Sequence, residues 1–154
     1  MSFFDVATIN CRRENGLNIF ICIDDELGMI FNRRRQSRDS KVISDMIDTA
    51  RSEGADLFAL PFSEKLLSAY PEFLISGNAI SDAGDDGYVF VEEPPLAPII
   101  RSVKKMVVYR WNRLYPADKK LDTPPTECGF SLISTTEFAG SSHDVITKEV
   151  YERR

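Results

Sequence analysis

The stretch Leu17-Asn18-Ile19-Phe20-Ile21-Cys22-Ile23 most limits the folds open to this chain. It is a near-continuous apolar, β-branched run without polar alternation, the pattern of a strand covered on both faces in the middle of a sheet. Such a strand needs a covering layer, and the following residues supply one. From Asp39 or Ser40 as cap, Val42, Ile43, Met46, Ile47 and Ala50 recur at helical spacing, and Gly54 stands just past the end as a C-cap. Leu57 to Pro61 then reads as a short strand. Strand, helix, strand is a β-α-β unit, with two parallel strands in one sheet and the helix across one face.

The rest of the chain adds further strands. Asp24 to Gly28 forms a turn in which Gly28 is free to take a positive φ. Ser63 caps a helix expected to run through Leu67 and to stop before Pro71. Tyr88-Val89-Phe90-Val91 is another buried-strand pattern, stopped by Glu92-Glu93-Pro94-Pro95, and Leu96 to Val103 fits one or two helical turns. Met106 to Trp111 and Phe130 to Ser134 are strand-like. The last segment is ambiguous, since Val145, Ile146, Glu149 and Val150 fit a helix whereas Ile146, Lys148, Val150 and Glu152 alternate as a strand. Residues 1–16 read as an N-terminal extension, with Phe3 to Ile9 suited to an edge strand, and residues 17–154 as a single α/β domain.

Composition excludes several function classes. The 154 residues are 43% hydrophobic and 28% charged, enough to bury a core without staples. A net charge of −5 disfavours nucleic acid as a partner and favours a cationic small molecule or a basic protein. No apolar run reaches the length of a membrane span, so no membrane partner is expected, and the start lacks signal-peptide features, which points to the cytoplasm. Cys11, Cys22 and Cys128 are odd in number and lack C-x-x-C spacing, and read as reduced thiols.

No metal is expected. His143 is the single histidine, far short of a zinc ligand set, and Asp24, Asp25, Asp85 and Asp86 read as solvated turn acids rather than a magnesium site. Ser141-Ser142-His143-Asp144 contains the residue types of a triad, but sequence neighbours seldom converge in triad geometry, and a turn is the simpler reading. Arg33-Arg34-Arg35-Gln36-Ser37-Arg38-Asp39 places basic groups beside a helix start, where they suit a phosphate or carboxylate ligand or pair with acids such as Asp24 or Glu26. Asp39 reads first as the helix cap; in a cleft floor it would pair with an amino-substituted ring and relay a proton. Trp111-Asn112-Arg113-Leu114-Tyr115-Pro116-Ala117-Asp118 gathers aromatic, cationic and acidic groups directly after a strand, where sheets present ligands. There Asp118 is placed to neutralise Arg113.

In this order, the elements resemble a diverged dihydrofolate reductase. The resemblance covers residues 17–154 and is carried by spacing, by Ser37-Arg38-Asp39 ahead of the first helix, by Ala117-Asp118, and by the closing Glu149-Val150-Tyr151-Glu152-Arg153-Arg154. It implies a three-layer α/β domain whose mixed, mostly parallel sheet is flanked by helices and ends in an antiparallel hairpin. The final segment is then a strand. It also implies a pterin- or nucleotide-like small-molecule ligand, NADPH as cofactor, and Asp39 as the catalytic carboxylate, with Ile23, Phe31, Arg33, Trp111, Arg113 and His143 about the ligand. At the cofactor position, however, a Gly-Gly pair is replaced by Glu92-Glu93, whose charges would repel a pyrophosphate. Gly28 to Asn32, Trp111-Asn112-Arg113 and Ser142-His143 also resemble a small bacterial family labelled ribonuclease Z, although one histidine cannot supply that label's di-metal chemistry. Two other readings stand beside the reductase-like one. One is a noncatalytic immunity- or antitoxin-like module whose acidic residues Asp85, Asp86, Glu92 and Glu93 face a basic protein. The other is a metal-independent nuclease using Arg33, Arg113 and His143.

Overall fold

The computed structural model describes residues 15–154. The expected strand at Phe3 to Ile9 lies outside them. A seven-stranded sheet forms the body of the protein. Its strands are β1 (Leu17–Ile23), β4 (Leu57–Ala59), β5 (Leu74–Ile75), β6 (Tyr88–Phe90), β7 (Val103–Arg110), β9 (Phe130–Phe138) and β10 (Ile146–Arg153). Their order across the sheet is β5-β4-β6-β1-β7-β10-β9. The first five run parallel, and β10 and β9 close the sheet as an antiparallel hairpin on β7. The ambiguous C-terminal segment is therefore a strand. A small second sheet joins β2 (Gly28–Phe31) to β3 (Arg34–Arg35) and β8 (Lys119–Lys120).

β1 is central, as its composition requires, and its two faces feed separate cores. Ile19, Ile21 and Ile23 pack with Val89, Leu96, Val108, Leu121 and Phe130 on one side, beside the short helix α2 (Ala79–Ala83). Phe20 and Cys22 face the other side, which is covered by α1 (Ser40–Ser52). The buried residues of α1 are Val42, Ile43, Met46, Ile47 and Ala50, the same five that the 3.6-residue period selects. Asp39 caps its N-terminus by accepting from the N–H groups of Lys41 and Val42. Past the other end, Gly54 takes φ +63° and its N–H donates to Arg51.

Two local expectations are corrected. Residues 61–63 form a 3₁₀ turn with Leu60, not Ser63, at its cap, because the Ser63 hydroxyl donates to Glu92 instead. In the turn after β1 the positive φ belongs to Leu27, not Gly28. Gly28 is required for room: a Cβ there would lie 2.4 Å from Asp24 Oδ2 and 2.5 Å from Gln36 Nε2.

Candidate functional site

The carboxyl ends of β1, β6 and β7 meet the N-terminal turn of α1, and the surrounding loops converge there. Chain connections leave β1 toward β4 and leave β6 toward β7, in opposite directions along the sheet. Open α/β sheets form a crevice at such a reversal. The cleft found there is lined by Cys22, Met29, Met46, Phe90 and Trp111 on its apolar side and by Arg35, Gln36, Ser37 and Glu92 on its polar side. It holds about 410 Å³ of empty space with its mouth included. It is narrow in this state.

Two buried carboxylates fix the loops that form the cleft. Asp24, 1% exposed, accepts from the N–H groups of Glu26 and Gly28 at 2.8 and 2.7 Å and from the Gln36 amide at 2.9 Å. The N–H of Tyr115 reaches it as well, at 3.3 Å. Burial alone would raise its pKa, but these donors outweigh burial and lower it. The turn after β1, the segment before α1 and the loop after β7 are thus pinned to one side chain.

Asp39 does the same for the opposite wall. The loop between β9 and β10 folds over it, placing the N–H groups of Ser141 and Ser142 at 2.8 Å from its two oxygens and the Lys41 N–H at 2.9 Å. Both serine hydroxyls add contacts at 3.1 and 3.2 Å, and His143 Nδ1 lies 3.1 Å away. Here too burial alone would raise the pKa, yet the donors from Ser141, Ser142, His143 and Lys41 hold the carboxyl well below the usual range. Gly140 permits the close approach, since a Cβ there would lie 2.4 Å from Asp39 Oδ2.

Around Asp39 the structure gathers His143 and Trp111, two of the residues singled out from sequence. Trp111 stacks on the His143 ring, centroids 4.6 Å apart and planes 19° apart. On the far side of the imidazole, Nε2 faces the Tyr115 hydroxyl at 2.9 Å and the Ser37 hydroxyl at 3.2 Å. Arg113 lies just outside, its guanidinium 5.5 Å from the Tyr115 ring centre. Asp118 does not neutralise it; that carboxylate accepts from the Asn32 N–H instead. Ile23 is fully buried on the opposite face of the sheet, and Phe31 is 46% exposed at the end of β2. Arg33 lines a separate open concavity with Arg34, Arg35, Arg38 and Lys65, which adjoins the cleft through Arg35 and Arg38.

The end of β6 carries its own ion pair. Arg35 Nε and Nη2 bind the two oxygens of Glu92 at 2.7 and 2.9 Å, Ser63 donates to the same carboxylate, and the guanidinium lies over the Phe62 ring. The acids Asp85, Asp86, Glu92 and Glu93 do not form one exposed face, because the Glu92 side chain is buried against Arg35, whereas Asp86 stays exposed beside Lys104. Sequence reasoning did not name Ser37, Gln36 or Tyr115 as site residues, although the basic run and the polar segment after β7 signalled their neighbourhood, and it met Glu92 only as an acid at the cofactor position. Cys22, at the cleft wall, is a free thiol whose pKa is pushed well up by burial and by the carboxylates of Glu92 and Asp39. Among the described residues no cluster of three or more histidine, cysteine or acidic side chains is placed to hold a metal ion. Among them, too, no helix is long and apolar enough to cross a membrane.

No protein-family model matches the chain, and no curated protein matches it in sequence, so the ribonuclease Z resemblance finds no support. Among solved structures, dihydrofolate reductase from Enterococcus faecalis, complexed with NADP(H) and RAB-propyl, matches with a TM-score of 0.62. The match covers 90% of this chain and 96% of that one at 8% sequence identity. At such identity the likeness establishes a dihydrofolate reductase-like α/β fold, and the fold alone.

Proposed function

We propose that this chain binds a small molecule in the cleft between α1 and the carboxyl ends of β1, β6 and β7. The observation that carries the reading is the position of that cleft at the reversal of strand order, where open α/β sheets hold ligands. Its chemistry supports an amphipathic, pterin- or nucleotide-like molecule. An apolar ring would sit among Cys22, Met46, Phe90 and Trp111, and an anionic group would extend to Arg33, Arg34 and Arg38 in the adjoining concavity. Gln36 Oε1 is buried at the cleft without a hydrogen-bond partner, and a donor on the ligand would satisfy it.

Asp39 acts on such a ligand indirectly. Its oxygens already accept from Lys41, Ser141, Ser142 and His143, enough donors to fill the lone-pair positions of a carboxylate, so it shapes the wall and holds His143. The residues do not fit the dinucleotide of the Enterococcus faecalis enzyme at the end of β6. Glu93 adds a second acid beside Glu92, and no glycine there allows close approach of a pyrophosphate. NADPH-dependent reduction is therefore not part of the proposed activity.

The test is a thermal-shift titration of the purified protein with folate, methotrexate and NADPH, since a ligand that prefers the folded state raises the apparent Tm. A saturable shift with folate or methotrexate, and none with NADPH, is expected. A shift with none of the three would reject a pterin-like ligand.

A further inference from the structure

The cleft wall holds three side chains in an order that ligand binding does not use. Ser37 Oγ lies 3.2 Å from His143 Nε2, and His143 Nδ1 lies 3.1 Å from Asp39 Oδ2. The imidazole thus links a hydroxyl on one nitrogen to a buried carboxylate on the other, the connectivity that activates a serine nucleophile on unrelated folds. We propose that Ser37 is a nucleophile, that His143 is its general base, that Asp39 positions His143, and that the reaction is hydrolysis of a carboxylic ester with a small apolar acyl group.

The tautomer follows from the surroundings. Nδ1 faces an ionised carboxylate, so the proton of a neutral imidazole belongs on Nδ1, and the lone pair of Nε2 is left for the Ser37 and Tyr115 hydroxyls, 3.2 and 2.9 Å away. The ring cannot drift, because its side chain is 1% exposed and stacked on Trp111. Access is graded in the required way. Ser37 lines the cleft and is half-buried, while the His143 and Asp39 side chains are hidden behind it, so a substrate meets the hydroxyl first. The acyl group would lie against Met46 and Phe90, and the narrow void limits its size. Arg38, next in sequence and in the same wall, has no carboxylate within ion-pair distance among the described residues. Its charge favours the oxyanion that forms when Ser37 adds to the carbonyl.

The bonds balance. As the Ser37 Oγ–C bond forms, the hydroxyl proton passes to Nε2; the ester C–O bond then breaks and the departing alkoxide takes that proton as an alcohol. Water attacks the acyl-serine, gives a proton to Nε2, and the C–Oγ bond breaks with return of that proton to Ser37, releasing the acid. Tyr115 competes in the resting state, because its hydroxyl lies 2.9 Å from the same Nε2 lone pair. It must yield for the transfer to occur, and its removal should speed the reaction.

The experiment treats the full chain with an alkyl fluorophosphonate and follows the adduct by intact mass and peptide mapping. A single adduct on Ser37 is expected, absent in Ser37→Ala, with a rate that falls roughly a hundredfold in His143→Gln. Tyr115→Phe, which keeps the ring and its packing, should label faster than the parent. No adduct on Ser37, or a labelling rate that neither His143→Gln nor Tyr115→Phe alters, would overturn the proposal. A retained thermal shift with methotrexate in Ser37→Ala would separate this outcome from failure of the ligand-binding reading.

Discussion

His143 Nδ1 lies 3.1 Å from Asp39 Oδ2, a contact between residues 104 apart in sequence. It fastens the loop between β9 and β10 to the first turn of α1. The hairpin at one edge of the sheet and the helix over its centre thereby share one buried joint, and the candidate cleft opens beside it.

Replacing Asp39 with Asn keeps the shape but turns one acceptor into a donor facing the N–H groups of Ser141 or Ser142. The loss should be about 3 kcal/mol at pH 7 by urea denaturation, typical of breaking a buried charged network. Because the folded pKa is depressed, the stabilisation from the carboxylate is fully present above its unfolded value near ~4 and fades as pH falls below it. The gap between parent and Asp39→Asn should therefore narrow only on the acid side of that value. A gap that is constant down to pH ~2 would remove the linkage.

Gly140→Ala tests the close approach of the loop to Asp39. The added methyl would meet Oδ2 at 2.4 Å and the His143 carbonyl oxygen at 2.9 Å, so the loop must lift, at about 1–3 kcal/mol. Gly77→Ala is the matched control, since nothing lies within 4 Å of its Cβ position. Equal stability of the two variants would show that the loop is not seated as described.

The Arg35–Glu92 pair is expected to couple strongly for a partly exposed ion pair. Arg35→Ala strands a carboxylate that is 7% exposed, with Ser63 as its remaining partner, and should cost about 2–3 kcal/mol. Adding Glu92→Gln should recover part of that loss. A double-mutant cycle with no interaction energy would place the pair among ordinary surface contacts.

Core and edge should differ sharply. Phe20 is fully buried and stacks on Tyr88 with ring centres 4.6 Å apart, so Phe20→Ala should cost about 3–5 kcal/mol. Leu132, 49% exposed on the edge strand β9, should change stability by less than about 0.5 kcal/mol when replaced by Ala. Denaturation midpoints with unchanged m-values would confirm that both act on stability alone.

Some of this architecture was legible in local pattern. The near-continuous apolar run at β1 announced a central strand, and the period of Val42, Ile43, Met46, Ile47 and Ala50 announced the buried face of α1. Asp39 as its cap was equally readable, because capping satisfies N–H groups two or three residues away. The C-terminal segment was not, since helical and strand periods fitted it equally well. Pairing with β7 and β9 decides it, and that pairing depends on distant chain.

The site itself was a tertiary matter. Sequence placed Arg35 in a basic run with nearby acids to pair with, but Asp24 is occupied by backbone donors and Arg35 reaches 57 residues onward to Glu92. Ser37 looked like one polar residue among many until the loop carrying His143 came to lie across it. Periodicity records which face of an element avoids water, and that much the chain determines locally. Which charge meets which carboxylate is set by the crossings of the sheet, and only the folded topology fixes those.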